Sequence, residues 1–383
     1  MYLIKNAKIL DAQTEYASFD ILVEGERIVS ASRELTAPEN CEIIDLQGCT
    51  LLPAFVDAHV HAPIPERESV AFRDDIMTKL AKTGICLCKD DGLLTSHPLE
   101  PYMEFLKACD DPYHTKVVTA GRYIDVNDGY GMGPDPVMKW GIEITTPNEA
   151  AEAVSYQAAA GVDGIKIGIS GRGPEMTEEM ILAVTDRARE LGLWTTAHVS
   201  AAKDLQKLVN CGIGEAAHTP PDHMSEELIL QMVKDGISMI TTVGERPSKV
   251  SEMDRHMHHG QTDEEILASK TERYEGMLDN LKRFYEAGGS IAIGTDLMMS
   301  DEKARIPIDE LQALRSIGIP MEEVIRCGTV GAAQVCGISD IGLVREGMMA
   351  DLIAIRGELD DDFTKLDPPM FVMNRGVILR DDR

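Results

Sequence analysis

Residues 52–61 read Leu-Pro-Ala-Phe-Val-Asp-Ala-His-Val-His, an apolar run that ends in two histidines separated by one residue. Side chains two apart on a strand point to the same side, so His59 and His61 can present both imidazoles to one ion. Neutral imidazole is the commonest protein ligand for metals such as zinc. The stretch predicts a buried strand with two metal ligands at its carboxyl end, although the same spacing also occurs by chance on surface loops.

From residue 51 onward, short apolar runs alternate with longer amphipathic stretches, the pattern of repeated strand-helix units around a parallel sheet. We predict eight strands, at residues 51–58, 85–89, 116–121, 164–169, 193–198, 214–218, 238–243 and 290–295. We predict helices at residues 148–160, 175–191, 201–211, 226–235 and 264–287. Eight such units predict an α/β fold, a closed (β/α)8 barrel of the TIM type rather than an open doubly wound sheet.

Both ends of the chain have a different texture, with short alternating segments separated by Gly, Asp, Asn and Pro. We predict strands there at residues 2–9, 21–23, 42–46, 351–355 and 370–378. Residues 1–50 and 338–383 are therefore predicted to form one composite β domain beside a barrel of residues 51–337.

Bulk composition narrows the class of protein. A chain of 383 residues with 44% hydrophobic content can bury a large core. The formal net charge of −28 repels phosphate backbones and anionic lipids, so nucleic acid and membrane surfaces are poor partners. The eight cysteines are scattered and the first ten residues lack a secretory signal pattern, which predicts a cytoplasmic protein with reduced thiols.

Three further predicted strands end in a side chain that can bind a metal: His198, His218 and Asp296. Taken singly, each histidine is better explained as a hydrogen-bonded core residue, and the aspartate as a helix cap. Active sites of parallel barrels assemble at the carboxyl edge of the strands, where these residues and the His59–Val60–His61 stretch would all meet. Together they favour a metal site.

Lys166 lies in the middle of the apolar strand predicted at residues 164–169. A buried, unpaired ammonium is costly and tends to lose its proton. The neutral amine can react with carbon dioxide to form a carbamate, an anion that can bridge two metal ions. A lysine paired with a nearby Asp or Glu explains the same residue equally well.

Taken together, these segments resemble the amidohydrolase superfamily, which includes dihydroorotases, hydantoinases, imidazolonepropionases and metal-dependent dipeptidases. The resemblance covers essentially the whole chain. It rests on residues 52–61, on Gly-Val-Asp-Gly-Ile-Lys-Ile at residues 161–167, on Gly-Met-Met-Ala-Asp-Leu-Ile at residues 347–353, and on His198, His218 and Asp296.

The resemblance implies a site that holds two divalent ions, usually zinc. Its metal ligands would be His59, His61, Lys166 as an N6-carboxylated lysine, His198, His218 and Asp296. It implies that a hydroxide bridging the ions attacks an amide, lactam or peptide-like C–N bond of a small molecule, with Asp296 as the catalytic proton shuttle. It also implies a β-sandwich for the terminal segments and a homo-oligomer.

Two other functions compete with this one. The first is a mononuclear deaminase that acts on a ring. Deaminases of this superfamily typically lack the bridging lysine and have a glutamate soon after a metal histidine, whereas His198 is followed here by Val-Ser-Ala. The second is a non-catalytic scaffold relative, which would usually have lost ligands that this chain retains.

Substrate-binding residues are expected on the loops after the strands. Tyr130 stands where related dipeptidases often carry a histidine between two glycines, which puts peptide specificity in doubt. Arg172 follows the lysine strand and could hold a substrate carboxylate, although a solvated surface arginine is the more ordinary explanation. Residues 256–259, His-Met-His-His, are predicted to lie in a loop, with a possible role as a lid.

Overall fold

A computed structural model describes residues 1–62, 70–93, 98–131, 141–171, 173–298 and 304–383 of the chain. Its strands are β1 (Tyr2–Leu10), β2 (Glu15–Glu24), β3 (Arg27–Ser32), β4 (Glu42–Asp45), β5 (Cys49–Pro53), β6 (Phe55–His61), β7 (Ile85–Asp90), β8 (Lys116–Thr119), β9 (Ile124–Val126), β10 (Ile142–Ile144), β11 (Gly164–Ile169), β12 (Trp194–Val199), β13 (Glu215–Ala216), β14 (Ser238–Ile240), β15 (Ile291–Ala292), β16 (Leu297–Met298), β17 (Leu352–Arg356), β18 (Phe371–Asn374) and β19 (Val377–Asp381). Its helices are α1 (Val70–Thr83), α2 (Glu100–Ala108), α3 (Pro147–Ala160), α4 (Glu178–Glu190), α5 (Ala202–Asn210), α6 (Glu226–Asp235), α7 (Glu252–Met257), α8 (Asp263–Glu286), α9 (Ile308–Ser316), α10 (Met321–Gly328) and α11 (Val330–Val335).

The parallel strands follow one another in a hydrogen-bonded circuit. Two sheets supply them, β16-β6-β7-β8 and β10-β9-β11-β12-β13-β14-β15. At one junction Ala58 N donates to Ile293 O (2.9 Å), and at the other Asp163 N donates to Thr119 O (2.9 Å). The predicted α/β class is therefore confirmed, with the carboxyl ends of the strands at one common rim, as in a (β/α)8 barrel.

Strands from both ends of the chain share one eight-stranded sheet, in the order β19-β18-β17-β5-β1-β2-β3 with β4 beside β1. β5 pairs in parallel with β1 and antiparallel with β17, and so joins the two ends. This sheet has its own apolar core, separate from the main one around the parallel strands.

Helix α6 shows why several predicted helices match the structure to within a few residues. Ser225 accepts a hydrogen bond from Leu228 N at the start of the helix, and Gly236 ends it with a φ of 70°. These are the start and stop signals that sequence offers most directly, because a hydroxyl satisfies a free amide and glycine tolerates the left-handed conformation.

Three predicted segments were wrong in detail. The predicted strand at residues 51–58 divides at Ala54, whose N–H bonds to Asp351 O; β5 belongs to the terminal sheet and β6 to the barrel. The predicted strand at residues 370–378 is a hairpin, because Arg375 and Gly376 have φ values of 47° and 73° and reverse the chain. The histidine-rich segment includes the end of α7, begun by a capping box at Ser251.

All eight cysteines are free thiols. No helix within the described ranges is long and apolar enough to cross a membrane.

Replacing Phe371 with Ala should destabilise the protein by about 3–5 kcal/mol, because the ring is fully buried in the core of the terminal sheet and its removal leaves a cavity. Urea denaturation measures this. The control Leu230→Ala on α6, where the side chain is 52% exposed, should change stability by less than about 0.5 kcal/mol. Equal losses in both variants would contradict the burial assigned to Phe371.

Candidate metal centre

The histidine pair lies at the end of β6, with both side chains directed to the rim. His61 Nδ1 lies 2.9 Å from the carbonyl oxygen of Gly92, which fixes Nδ1 as the N–H donor and leaves Nε2 with a lone pair. That Nε2 lies 3.2 Å from Asp296 Oδ1. His59 Nε2 lies 3.2 Å from the same oxygen, so the two imidazoles and the carboxylate face one point.

Asp296 reaches this point through an unusual backbone conformation. Its φ is 56°, a left-handed value that Asp tolerates better than most residues, and its N–H donates to His59 O at 2.8 Å. Partial burial acts to raise the pKa of Asp296, but the contacts with His59 and His61 outweigh it and hold the pKa well below its ordinary value. The carboxylate is therefore ionised.

His198 and His218 complete one side of the same space. Their ring centroids are 4.5 Å apart, and His218 lies 4.8 Å from His59. His218 Nδ1 is 2.9 Å from the hydroxyl of Thr242, a β-branched residue with a φ of 45°. Such a conformation costs about 1–3 kcal/mol and is found mainly at functional sites.

Burial keeps these two imidazoles neutral. It lowers the pKa of His198 to about 3, with a further contribution from Lys166, and lowers that of His218 well below its ordinary value. A metal binds the neutral ring, so neither histidine must lose a proton to act as a ligand at neutral pH.

Lys166 lies on β11 with its side chain fully buried inside the ring of strands. Burial lowers its pKa, and the carboxylate of Asp91 offsets this only in part. Lys166 Nζ lies 3.4 Å from Asp91 Oδ2. Both explanations offered for this lysine, an ion-paired ammonium and a carbamate formed from the neutral amine, therefore remain compatible with its surroundings.

Sequence reasoning missed a buried charged group directly beneath the histidines: Lys89, Asp91 and Glu215. Lys89 forms an ion pair with Glu215 and lies 3.5 Å from Asp91 Oδ1. Burial lowers the pKa of Lys89, but the two carboxylates more than compensate and raise it to about 12. A signal was available, because Lys89 and Asp91 follow an apolar run at residues 85–88 just as the histidines do.

The donors fit a divalent metal. Ligand atoms of His59, His61 and Asp296 all lie within 4.8 Å of one another. Both ring nitrogens of His59 and Nδ1 of His198 are buried without an aligned hydrogen-bond partner. Buried polar atoms are rarely left unsatisfied, and imidazole with carboxylate is the usual ligand set for zinc.

The two predicted substrate residues have different outcomes. Tyr130 stacks on His198, with ring centroids 3.8 Å apart and an interplanar angle of 17°. A Cβ atom at Gly168 would lie 2.8 Å from Tyr130 Cδ1, so glycine on β11 makes room for the ring. Arg172 lies outside the described residues.

Comparison with known proteins identifies the family. Residues 50–379 match the profile of the Amidohydrolase family, and the chain belongs to that family. An imidazolonepropionase of Streptomyces griseus is 21% identical over 353 residues, covering 88% of this chain and 85% of the relative. A 5-methylthioadenosine/S-adenosylhomocysteine deaminase of Pyrococcus abyssi is 22% identical over 369 residues, covering 88% and 80%. A crystal structure of a Xaa-Pro dipeptidase with methionine bound in its active site has a TM-score of 0.79 and 21% identity, with 98% of this chain and 99% of that chain covered.

Glu310 on α9 supports the loop that follows β14. Its carboxyl oxygens accept hydrogen bonds from Val243 N (3.1 Å) and Gly244 N (2.6 Å). Burial raises its pKa to about 7.

Because the folded pKa of Glu310 lies above its unfolded value, the folded protein holds the extra proton, and this contribution to stability is lost as pH rises from about 4.5 to about 7. From pH 5 to pH 8, wild type should lose about 2–3 kcal/mol relative to Glu310→Gln. Urea denaturation with chelator present measures the difference. The half-exposed neighbour provides the control: Asp309→Asn should track wild type at both pH values. A pH-independent offset for Glu310→Gln would contradict the raised pKa.

Proposed function

We propose that this chain is a metal-dependent hydrolase that cleaves a C–N bond of a small amide-like substrate, whether a linear amide, a lactam or a peptide-like bond. The observation that carries the proposal is the convergence of the imidazoles of His59 and His61 on the carboxylate of Asp296. Family membership supports the reaction class.

Six side chains would hold two divalent ions, and zinc is our candidate because its usual protein ligands include imidazole and carboxylate. They are His59, His61, Lys166 in its N6-carboxylated form, His198, His218 and Asp296. Bound there, the ions would supply an activated water and polarise the scissile carbonyl. The neutral state of the buried histidines and the lowered pKa of Lys166 support this ligand set.

Asp296 would carry a proton from the attacking water to the leaving nitrogen. Its carboxylate is ionised, open to the barrel mouth and in contact with both histidines of β6. In this position it would accept the proton of the attacking water and deliver it to the departing nitrogen. No serine or cysteine nucleophile takes part.

Replacing Asp296 with Asn should lower kcat by about 10²- to 10⁴-fold, because an amide cannot accept the proton, while metal content stays close to that of wild type. Turnover of the best amide substrate and metal analysis of the same preparation measure both effects. Undiminished turnover in Asp296→Asn would contradict the role of Asp296 as proton shuttle.

Treatment of wild type with a chelator should abolish activity, and added zinc should restore it. Activity that survives full metal removal would refute the hydrolase mechanism itself.

The second candidate is a mononuclear deaminase. The contact between Lys166 and Asp91 favours it, because an ammonium held by Asp91 would not bridge two ions. The absence of a glutamate after His198 speaks against it. Metal analysis separates the two, since a deaminase would hold one tightly bound ion per chain and release ammonia from a ring amine.

We also propose Tyr130 as a substrate-binding residue. Its ring covers His198 at the mouth and is 38% exposed, so one face contacts the site and the rest can contact substrate. Arg172, which follows the Lys166 strand in the sequence, remains our candidate for binding a substrate carboxylate.

Replacing Tyr130 with Ala should raise KM about tenfold, the equivalent of about 1.4 kcal/mol of lost aromatic contact, and leave kcat within a few-fold of wild type. Steady-state kinetics test this. The control variant Tyr113→Ala removes an exposed tyrosine on the connection between α2 and β8 and should leave both constants unchanged. An unchanged KM together with weaker zinc binding would show that Tyr130 only shields His198.

The substrate itself is best found by screening zinc-replete protein against N-acyl amino acids, dipeptides and cyclic amides, with ammonia release from ring amines as the deaminase arm. The proposal would be overturned if the protein hydrolysed none of these amides and instead deaminated a ring amine. We retain as predictions a composite β-sandwich formed by the two ends of the chain, whose first segment extends through β5 to Pro53, and a barrel that begins with β6. A cytoplasmic location and a homo-oligomer also remain predictions.

A further inference from the structure

Asp91 is a fully buried carboxylate with three neighbours on one oxygen. Its Oδ2 accepts hydrogen bonds from Lys166 Nζ (3.4 Å) and from the hydroxyl of Thr196 (3.3 Å). His59 Nδ1 lies 2.9 Å from the same atom. Asp91 therefore contacts two of the six proposed metal ligands, although the proposed mechanism gives it no role.

The other side of Asp91 faces a cation. Lys89 Nζ lies 3.5 Å from Asp91 Oδ1, forms an ion pair with Glu215, and lies 4.5 Å from the centre of the Trp194 ring. Lys89, Asp91 and Glu215 are all buried, so water is largely excluded from these ion pairs and their geometry is restricted. Lys89 thus holds the carboxylate of Asp91 in place through the oxygen Oδ1, which is not the oxygen that faces Lys166.

Carboxylation of Lys166 changes what its nitrogen can do. The neutral amine attacks carbon dioxide, a bond forms from Nζ to the carbon, one C=O π pair moves to oxygen, and one amine proton leaves to solvent. The product keeps a single N–H. In a buried site that N–H requires an acceptor, and Asp91 Oδ2 is already within reach of the nitrogen.

We propose that Asp91 is a positioning residue for the carbamate of Lys166. Its carboxylate accepts a hydrogen bond from the one N–H that the carbamate keeps, and this contact orients the carbamate oxygens toward the histidines. The proposal rests on the proposed function, which assigns the carbamate. The cation of Lys89 compensates for two anions placed close together, Asp91 and the carbamate.

The alternative is that Asp91 acts only as the counter-ion of a Lys166 ammonium. The two roles respond differently to substitution. Asp91→Asn keeps an oxygen that can accept the N–H but removes the charge, and Glu215 continues to pair with Lys89. Asp91→Ala removes both the acceptor and the charge.

The experiment follows zinc loading and carbamate formation directly. Full-length protein is stripped with chelator and titrated with zinc in ¹³C-bicarbonate, and the carbamate carbon is counted per chain by ¹³C NMR. For Asp91→Ala, the zinc concentration for half-maximal carbamate signal should rise about 10- to 100-fold, the usual cost of losing a group that orients a metal ligand. Asp91→Asn should shift it less than about threefold.

Thr196→Val is the matched control, because it removes the other donor to Asp91 Oδ2 with little change in volume and should leave the titration unchanged. An unchanged titration for Asp91→Ala, or an equal shift for Asp91→Asn and Asp91→Ala, would overturn the positioning role. If Asp91→Ala does not fold, as judged by circular dichroism, Asp91→Ser replaces it, since its hydroxyl is too short to reach Lys166. Wild type without any carbamate signal at saturating zinc would overturn the carbamate itself, and the wild-type arm alone identifies that case.

Discussion

The balance of buried charge inside the ring of strands is the constraint on which the site depends. Lys89 and Lys166 are both fully buried, and each requires an anion because an unpaired charge there is strongly unfavourable. Asp91 serves both lysines, and Glu215 serves Lys89 a second time. Removing one member of such a group typically costs about 3–5 kcal/mol, so the group specifies how the strands are arranged beneath the histidines.

Parallel strand geometry converts this constraint into a site. Lys166 on β11 lies opposite Thr196 on β12, which in turn lies opposite Glu215 on β13, so one layer of inward side chains supports the rim above it. The rim then requires close approach of backbones. A Cβ atom at Gly294 would lie 2.6 Å from His59 Cβ. Glycine therefore allows the segment between β15 and β16 to lie against β6, which brings Asp296 to the histidines.

Much of this could be predicted from sequence because the signals were local. The strand at 164–169 and the helix at 226–235 were predicted with their observed bounds, since an apolar run and clear caps mark them. The rim residues were predicted to meet because each follows an apolar strand. The division of residues 51–58 was not predictable, since a pairing with β17, some 300 residues later, ends one strand and starts the next. The pairing of Lys89 with Glu215 was likewise not predictable, because the contact spans 126 residues, although the sequence does show Lys89 directly after an apolar run.

The chemistry of the site follows from where water is excluded. Burial keeps His198 and His218 neutral, the protonation state in which an imidazole binds a metal, and it also lowers the pKa of Lys166. Asp296 lies at the exposed mouth and keeps its charge through contact with two imidazoles. The environment is therefore graded, dry around the buried histidines and Lys166 and open at Asp296. Under the proposed function, Asp296 is the metal ligand best placed to exchange a proton with substrate. Under the proposed function, the fold and the proposed metal centre account for the reaction class, and Tyr130 at the mouth is a proposed determinant of the substrate.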